Sequence, residues 1–210
     1  MAGTGMPRKN RDLHGNTPDK CDVALLLVDV INDFAFEEAE QLLKFAIPMS
    51  RKLAELRRRA RVAKVPVIYV NDNFGRRRSD FKHLVQHCLL PESRGREFVS
   101  QLTPAEDDYF VLKPKHSAFY STSLDVLLHY LEPNTLVITG LATDICVLFT
   151  ANDAYMRDYH LIVPEDCVAA NTIDANDYAL RQIRDILKAE TMPSEGVDFA
   201  QLSRATRTEQ

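Results

Sequence analysis

Short aliphatic runs separated by polar stretches organise the chain: "VALLLV" (23–28), "VPVIYV" (65–70), "YFVLK" (109–113), "TLVIT" (135–139) and "HLIV" (160–163), with a weaker sixth at "AETM" (189–192). Unbroken apolar runs fit strands buried on both faces, because a half-buried strand would alternate with polar residues. Between the runs the spacing of apolar positions changes to three and four. Leu42, Ala46, Met49, Leu53, Leu56 and Ala60 mark one helical stripe, while Arg51, Lys52, Glu55, Arg58 and Arg59 fill the opposite face. Further helices are predicted at "TSLDVLLHYL", "TDICVLFTANDAYMRDY" and "DANDYALRQIRDILKA". Strands alternating with helices predict an α/β fold in three layers, doubly wound, with a mainly parallel sheet of about six strands.

Length narrows this to one domain, expected over residues 21–192, since 210 residues suffice for one well-buried α/β core and are few for two. Residues 1–20 are rich in Gly, Pro, Asn, Lys and Arg without periodicity and predict a mobile arm. Residues 193–210, ending "SRATRTEQ", predict a frayed tail. A net charge of −4 gives no chain-wide attraction to nucleic acid or to an anionic membrane. Cys21, Cys88, Cys146 and Cys167 are scattered, with no C-x-x-C pair, which fits a reducing cytoplasm better than a disulfide framework. The polar start has no apolar segment of signal type, and "VALLLV" is too short to span a bilayer. No G-x-G-x-x-G follows a strand, so no dinucleotide cofactor is expected.

In an open parallel sheet, ligands bind beyond the carboxyl ends of the strands. Three reactive side chains are predicted there: Asp29 ends "VALLLVD", Lys113 ends "YFVLK", and Cys146 follows the turn after "TLVITG". A thiol needs a proton acceptor and a positive environment to act as a nucleophile, and this set supplies both. Each residue also has a structural use. Cys146 can pack with its apolar neighbours, Asp29 can order the loop "DVINDF", and Lys113 can reach solvent. The helix start at Thr143 or Asp144, either of which can cap it, adds N–H groups expected to favour a thiolate.

The chain resembles the isochorismatase-like cysteine hydrolases, a family that includes nicotinamidases, N-carbamoylsarcosine amidohydrolase and ureidoacrylate amidohydrolase. The resemblance is carried by "ALLLVDVINDF", "VLKPKHSAFYSTSL" and "VITGLATDICVLFTANDAY", three spaced motifs in the family's order. It implies a catalytic triad of Asp29, Lys113 and Cys146. It further implies a cis bond at Leu141–Ala142, which aims the Ala142 N–H with that of Cys146 into an oxyanion hole. The implied reaction is acyl transfer. Asp29 takes the thiol proton, Cys146 attacks a carboxamide or ureide carbonyl, Lys113 favours the thiolate, and Asp29 then activates water on the thioester. Phe34 and Phe119 match aromatic positions that wall the pocket in relatives, or else are plain core residues. The resemblance implies a small-molecule amide or ureide substrate and no cofactor, and the protein is expected to be a cytoplasmic homo-oligomer.

Departures from the family pattern shape the remaining expectations. Nicotinamidases start a metal site with Asp-x-His after the second strand, where this chain reads "NDNFG" with Phe74 in place of the histidine, so no metal is expected. His83 and His87 have the i, i+4 spacing of helix-borne ligands, but no third ligand stands near, and they are expected to face solvent. Ile31 replaces a glutamine common in relatives. The run "NFGRRRSDF" offers Arg76, Arg77 and Arg78 as a lid over an anionic substrate, or as a solvated charge run. Two other readings remain: vinyl-ether hydrolysis of the isochorismatase type, in enzymes that lack the cysteine, and a non-catalytic ligand-binding role.

Overall fold

The computed structural model describes residues 20–72 and 81–205. Six strands form one parallel sheet: β1 (Val23–Val28), β2 (Val67–Asp72), β3 (Tyr109–Lys113), β4 (Thr135–Leu141), β5 (His160–Ile162) and β6 (Val168–Ala169). Their order is β3-β2-β1-β4-β5, with β6 also pairing β4. The chain winds outward from β1 to β3, then returns to the other side of β1 to lay down β4. The winding direction therefore reverses between β1 and β4, where a doubly wound sheet opens its crevice.

The expected strand at 189–192 is corrected. Glu190 makes a single bridge to Ile162, whereas the sixth strand is Val168–Ala169. The reason lies in β4, which outruns its neighbour: β5 pairs with Thr135–Val137 only, leaving Gly140 and Leu141 to be paired by Val168 and Ala169. The second strand runs two residues later than its apolar run, because Asn71 and Asp72 continue the ladder against β3.

Strand β1 is buried on both faces. Val23, Leu25 and Leu27 join a core completed by the helices α1 (Ala39–Val62), α2 (Phe81–Cys88) and α3 (Arg96–Gln101). Ala24, Leu26 and Val28 join a second core on the opposite face, covered by α4 (Leu124–Leu131), α5 (Leu148–Tyr155) and α6 (Ile173–Asp185). The stripe read from the sequence is the buried side of α1: Leu42, Ala46, Met49, Leu53, Leu56 and Ala60.

Packing continues beyond residue 192, where a tail was expected. Val197 and Phe199 are buried in the α1-side core, and α7 runs from Phe199 to Ala205. The run "SRATRTEQ" looks like a tail because its residues are polar, while the two apolar anchors stand just before it. The expected arm at 1–20 lies, but for Lys20, outside the described residues, as do Phe74 and Arg76 to Arg78.

Gly140 fixes the spacing at the switch point. Its φ is +113°, and a Cβ there would meet the Val28 carbonyl oxygen at 2.0 Å. Only glycine allows both the backbone conformation and the close approach of β4 to β1.

Candidate active site

The ends of β1, β3 and β4 bring Asp29, Lys113 and Cys146 together. Asp29 leaves β1 with φ of +51°, a left-handed conformation that aspartate tolerates better than most residues. Its Oδ1 accepts the Asp72 N–H at 2.8 Å, which ties it to the end of β2. Lys113 lies opposite Asp72 in the β2–β3 register, and its Nζ forms an ion pair with Asp29 Oδ2 at 2.8 Å. The same ammonium donates to Cys146 Sγ at 3.4 Å and to the Lys115 carbonyl at 3.2 Å. Lys113 is thus a buried lysine, 1 % exposed, with its charge met on three sides rather than reaching solvent.

Asn71, absent from the sequence reading, holds the first loop in place. Its side-chain Nδ2 donates to the Ile31 carbonyl at 2.8 Å, and its Oδ1 accepts the Ile31 N–H at 3.3 Å. The Ile31 side chain itself is wholly buried in the α1-side core. The change from glutamine therefore adds to packing.

Cys146 lies in a π-helical turn, Thr143–Val147, that precedes α5. The Leu141–Ala142 peptide bond is cis. The Ala142 carbonyl accepts the N–H groups of Ile145 and Val147, both at 3.1 Å. The expected cap at Thr143 or Asp144 is corrected: Ala142 occupies the cap position, with no side-chain cap hydrogen bond. Thr143 is wholly buried and its hydroxyl donates instead to Asn176 Oδ1 on α6 at 2.6 Å, tying the turn to that helix.

The electrostatics run against the helix start and the lysine, which were expected to favour a thiolate. Burial, followed by the negative charge of Asp29, pushes the Cys146 thiol up to about 12, although Lys113 opposes the shift. Burial likewise pushes the Asp29 carboxyl above its ordinary range, against the pull of Lys113 and of hydrogen bonds from Lys113, Cys146 and Asp72. Burial works to lower the pKa of Lys113, but the attraction of Asp29 and the hydrogen bonds to Asp29 and Cys146 hold it above its usual value. The resting pair is thus a protonated thiol beside a carboxylate with raised basicity. Such a carboxylate suits proton abstraction better than an exposed one.

Phe34 and Phe119 are both buried rings, and Phe119 belongs to the core against which Cys146 packs. Phe34 is fully buried and meets Phe98 edge-on at 5.3 Å. Phe119 is 3 % exposed in the opposite core, beneath the Arg157 guanidinium at 4.5 Å. Rings with so little free surface act through packing. His83 and His87 are exposed as expected, and His87 Nε2 lies 3.1 Å from Asp33 Oδ2. That pair borders a cavity of about 600 Å³ lined also by Phe36, Leu90, Ser93 and Arg94, and none of Asp29, Lys113 and Cys146 lines it. Among the described residues no group of three or more His, Cys, Asp or Glu could hold a metal ion, and no helix is long and apolar enough to cross a membrane.

Comparison with known proteins matches this architecture to one family model, the Isochorismatase domain, over residues 23–195. The chain belongs to the isochorismatase family. An uncharacterized isochorismatase family protein of Bacillus subtilis is 42% identical over 178 residues, covering 85% of this chain and 97% of that protein. A probable inactive nicotinamidase of Arabidopsis thaliana is 30% identical over 175 residues, covering 79% and 89%. Among solved structures, N-carbamoylsarcosine amidase from Thermoplasma acidophilum superposes with a TM-score of 0.65 at 28% identity, covering 84% of this chain and 99% of that one.

Sequence reasoning missed His116. Its Nδ1 lies 3.9 Å from Cys146 Sγ, and its ring is 5.5 Å from that of Phe149. The signal was its position in "KPKHSAF", three residues past Lys113 and beyond the same strand end.

Proposed function

We propose that this isochorismatase-family protein is a cysteine amidohydrolase that cleaves a C–N bond of a small carboxamide or ureide through a thioester on Cys146. The observation that carries the reading is Lys113 Nζ, held between Asp29 Oδ2 at 2.8 Å and Cys146 Sγ at 3.4 Å at the carboxyl edge of the sheet. The N-carbamoylsarcosine amidase among its structural relatives supports a substrate of amide or ureide type.

In this mechanism Asp29 takes the Cys146 proton as the sulphur attacks the carbonyl carbon. Lys113 offsets the charge on the sulphur. The N–H groups of Ala142 and Cys146 receive the developing oxyanion, and fixed donors of this kind act without reorganising. Asp29 returns its proton to the leaving nitrogen as the C–N bond breaks. Water then hydrolyses the thioester and regenerates the thiol.

The test is ammonia or amine release from a panel of small amides and ureides, run on the intact protein and on Cys146→Ala. Turnover should occur only with the intact protein, and mass spectrometry of a quenched reaction should find the acyl group on the peptide containing "TDICVLF". The relative named as probably inactive favours a second reading, ligand binding without turnover. Silence across the panel together with an unreactive Cys146 would support that reading. Isochorismate turnover that survives Cys146→Ala would support vinyl-ether hydrolysis.

A further inference from the structure

The loop between β3 and α4 is fastened at three points around His116. Lys113 Nζ holds the Lys115 carbonyl at 3.2 Å, the Ser117 hydroxyl hydrogen-bonds Asp153 on α5, and the Ala118 N–H donates to Thr150 Oγ1 on α5 at 3.0 Å. Helix α5 follows directly from the turn that carries Cys146, so one helix registers both residues. His116 is therefore held against the sulphur although it is exposed. Of the three titratable neighbours of Sγ, Lys113 holds its charge among three acceptors, and the two that can take up a proton differ in access. Asp29 is 8 % exposed, with Oδ1 taken by the Asp72 N–H and Oδ2 by Lys113. His116 borders the same sulphur and is open to water.

Once the sulphur is acylated, the two half-reactions make different demands. Acylation begins with a proton inside the site, on the thiol that hydrogen-bonds Asp29. Deacylation begins with a proton on a water arriving from solvent. We propose that His116 is a further catalytic residue, the general base that activates this water against the Cys146 thioester. The proposal rests on the cysteine hydrolase reading and departs from the family expectation that Asp29 serves both halves.

The steps balance. A water O–H bond breaks, its proton passes to His116, and the oxygen bonds to the thioester carbon. The tetrahedral species collapses with cleavage of the C–S bond, releasing a carboxylic acid or its carbamic equivalent. The resulting thiolate takes back the proton from the imidazolium at its side. No oxidant, metal or second substrate is required.

The experiment uses 4-nitrophenyl acetate, whose leaving group departs without a proton and so makes acylation independent of His116. Full-length protein, Cys146→Ala, His116→Gln and His116→Phe are compared by stopped-flow release of nitrophenolate; the phenylalanine keeps an aromatic ring beside Phe149. The His116 variants should keep the burst, about one nitrophenolate per protein. Their steady rate should fall by about 10²-fold or more, the range of general base effects. Acetyl-Cys146 should accumulate by mass spectrometry, and hydroxylamine, a nucleophile that needs no base, should restore the rate. An unchanged steady rate after a normal burst, or a fall without acetyl-Cys146, overturns the role of His116 alone. If the parent shows no burst and no adduct, like Cys146→Ala, the cysteine acyl-transfer reading falls and this role with it.

Discussion

The Asp29 carboxylate and the Lys113 ammonium meet at 2.8 Å, with almost no water reaching either. A buried pair of this kind is held by geometry from three strands, and removing one partner leaves an uncompensated charge in a dry site. The pair adds little net stability, because desolvation offsets much of the attraction between its charges.

Asp29→Asn retains the shape of the site and removes its proton acceptor. Asparagine tolerates the left-handed backbone as aspartate does, so the fold should be kept, with a lowered melting temperature because Lys113 loses its buried counter-charge. Turnover of a responsive amide should fall by about 10² or more. Steady-state kinetics beside a circular dichroism melt checks both halves; near-normal turnover would remove Asp29 from the chemistry.

The raised thiol makes an alkaline prediction. A group with a folded pKa above its unfolded value contributes stability that is whole below the unfolded pKa and is lost as pH rises through the folded one. For Cys146 that window runs from the ordinary thiol value of 9.0 up to about 12. Cys21 and Cys88, also pushed up to about 12 by burial, act in the same direction. Urea midpoints should therefore decline above pH 9, and Cys146→Ala should decline less steeply. Equal slopes for the two proteins would show that the thiol is not held protonated by the fold.

Gly140→Ala should lower stability by at least about 2 kcal/mol, the combined order of left-handed strain and overpacking. The methyl group would meet the Val28 carbonyl, just where β1 hands over to Asp29 and β4 leads on to Cys146 at the shared carboxyl edge. Chemical denaturation reads the loss directly, and a midpoint unchanged from the parent would contradict the close approach.

Dialysis against a chelator should leave turnover intact, since "NDNFG" lacks the histidine of an Asp-x-His start. A loss of activity reversed specifically by Zn²⁺, Fe²⁺ or Mn²⁺ would overturn this.

Much of the fold was legible because a parallel sheet writes itself as unbroken apolar runs. "VALLLV" and "YFVLK" coincide with β1 and β3 to the residue. Strand β6 was not legible: two residues have no period, and they pair only because β4 outruns β5. The cluster of Asp29, Lys113 and Cys146 was legible from strand ends and motif order, but the burial that dominates its proton balance was not. A helix start suggested a lowered thiol pKa, whereas burial and the facing carboxylate raise it, and both depend on distances that a linear reading lacks. His116 and Asn71 escaped for a similar reason. Each gains its significance from a partner about thirty or forty residues away in sequence.

Strand β1 belongs to both hydrophobic layers at once, contributing alternate side chains to each. Neither layer can come apart without stripping one face of the strand that the other needs, so the two halves of the protein should melt as one cooperative unit. Asp29, attached to the end of that shared strand, inherits its protection. Loss of its nearly buried setting should therefore track the global unfolding of the molecule.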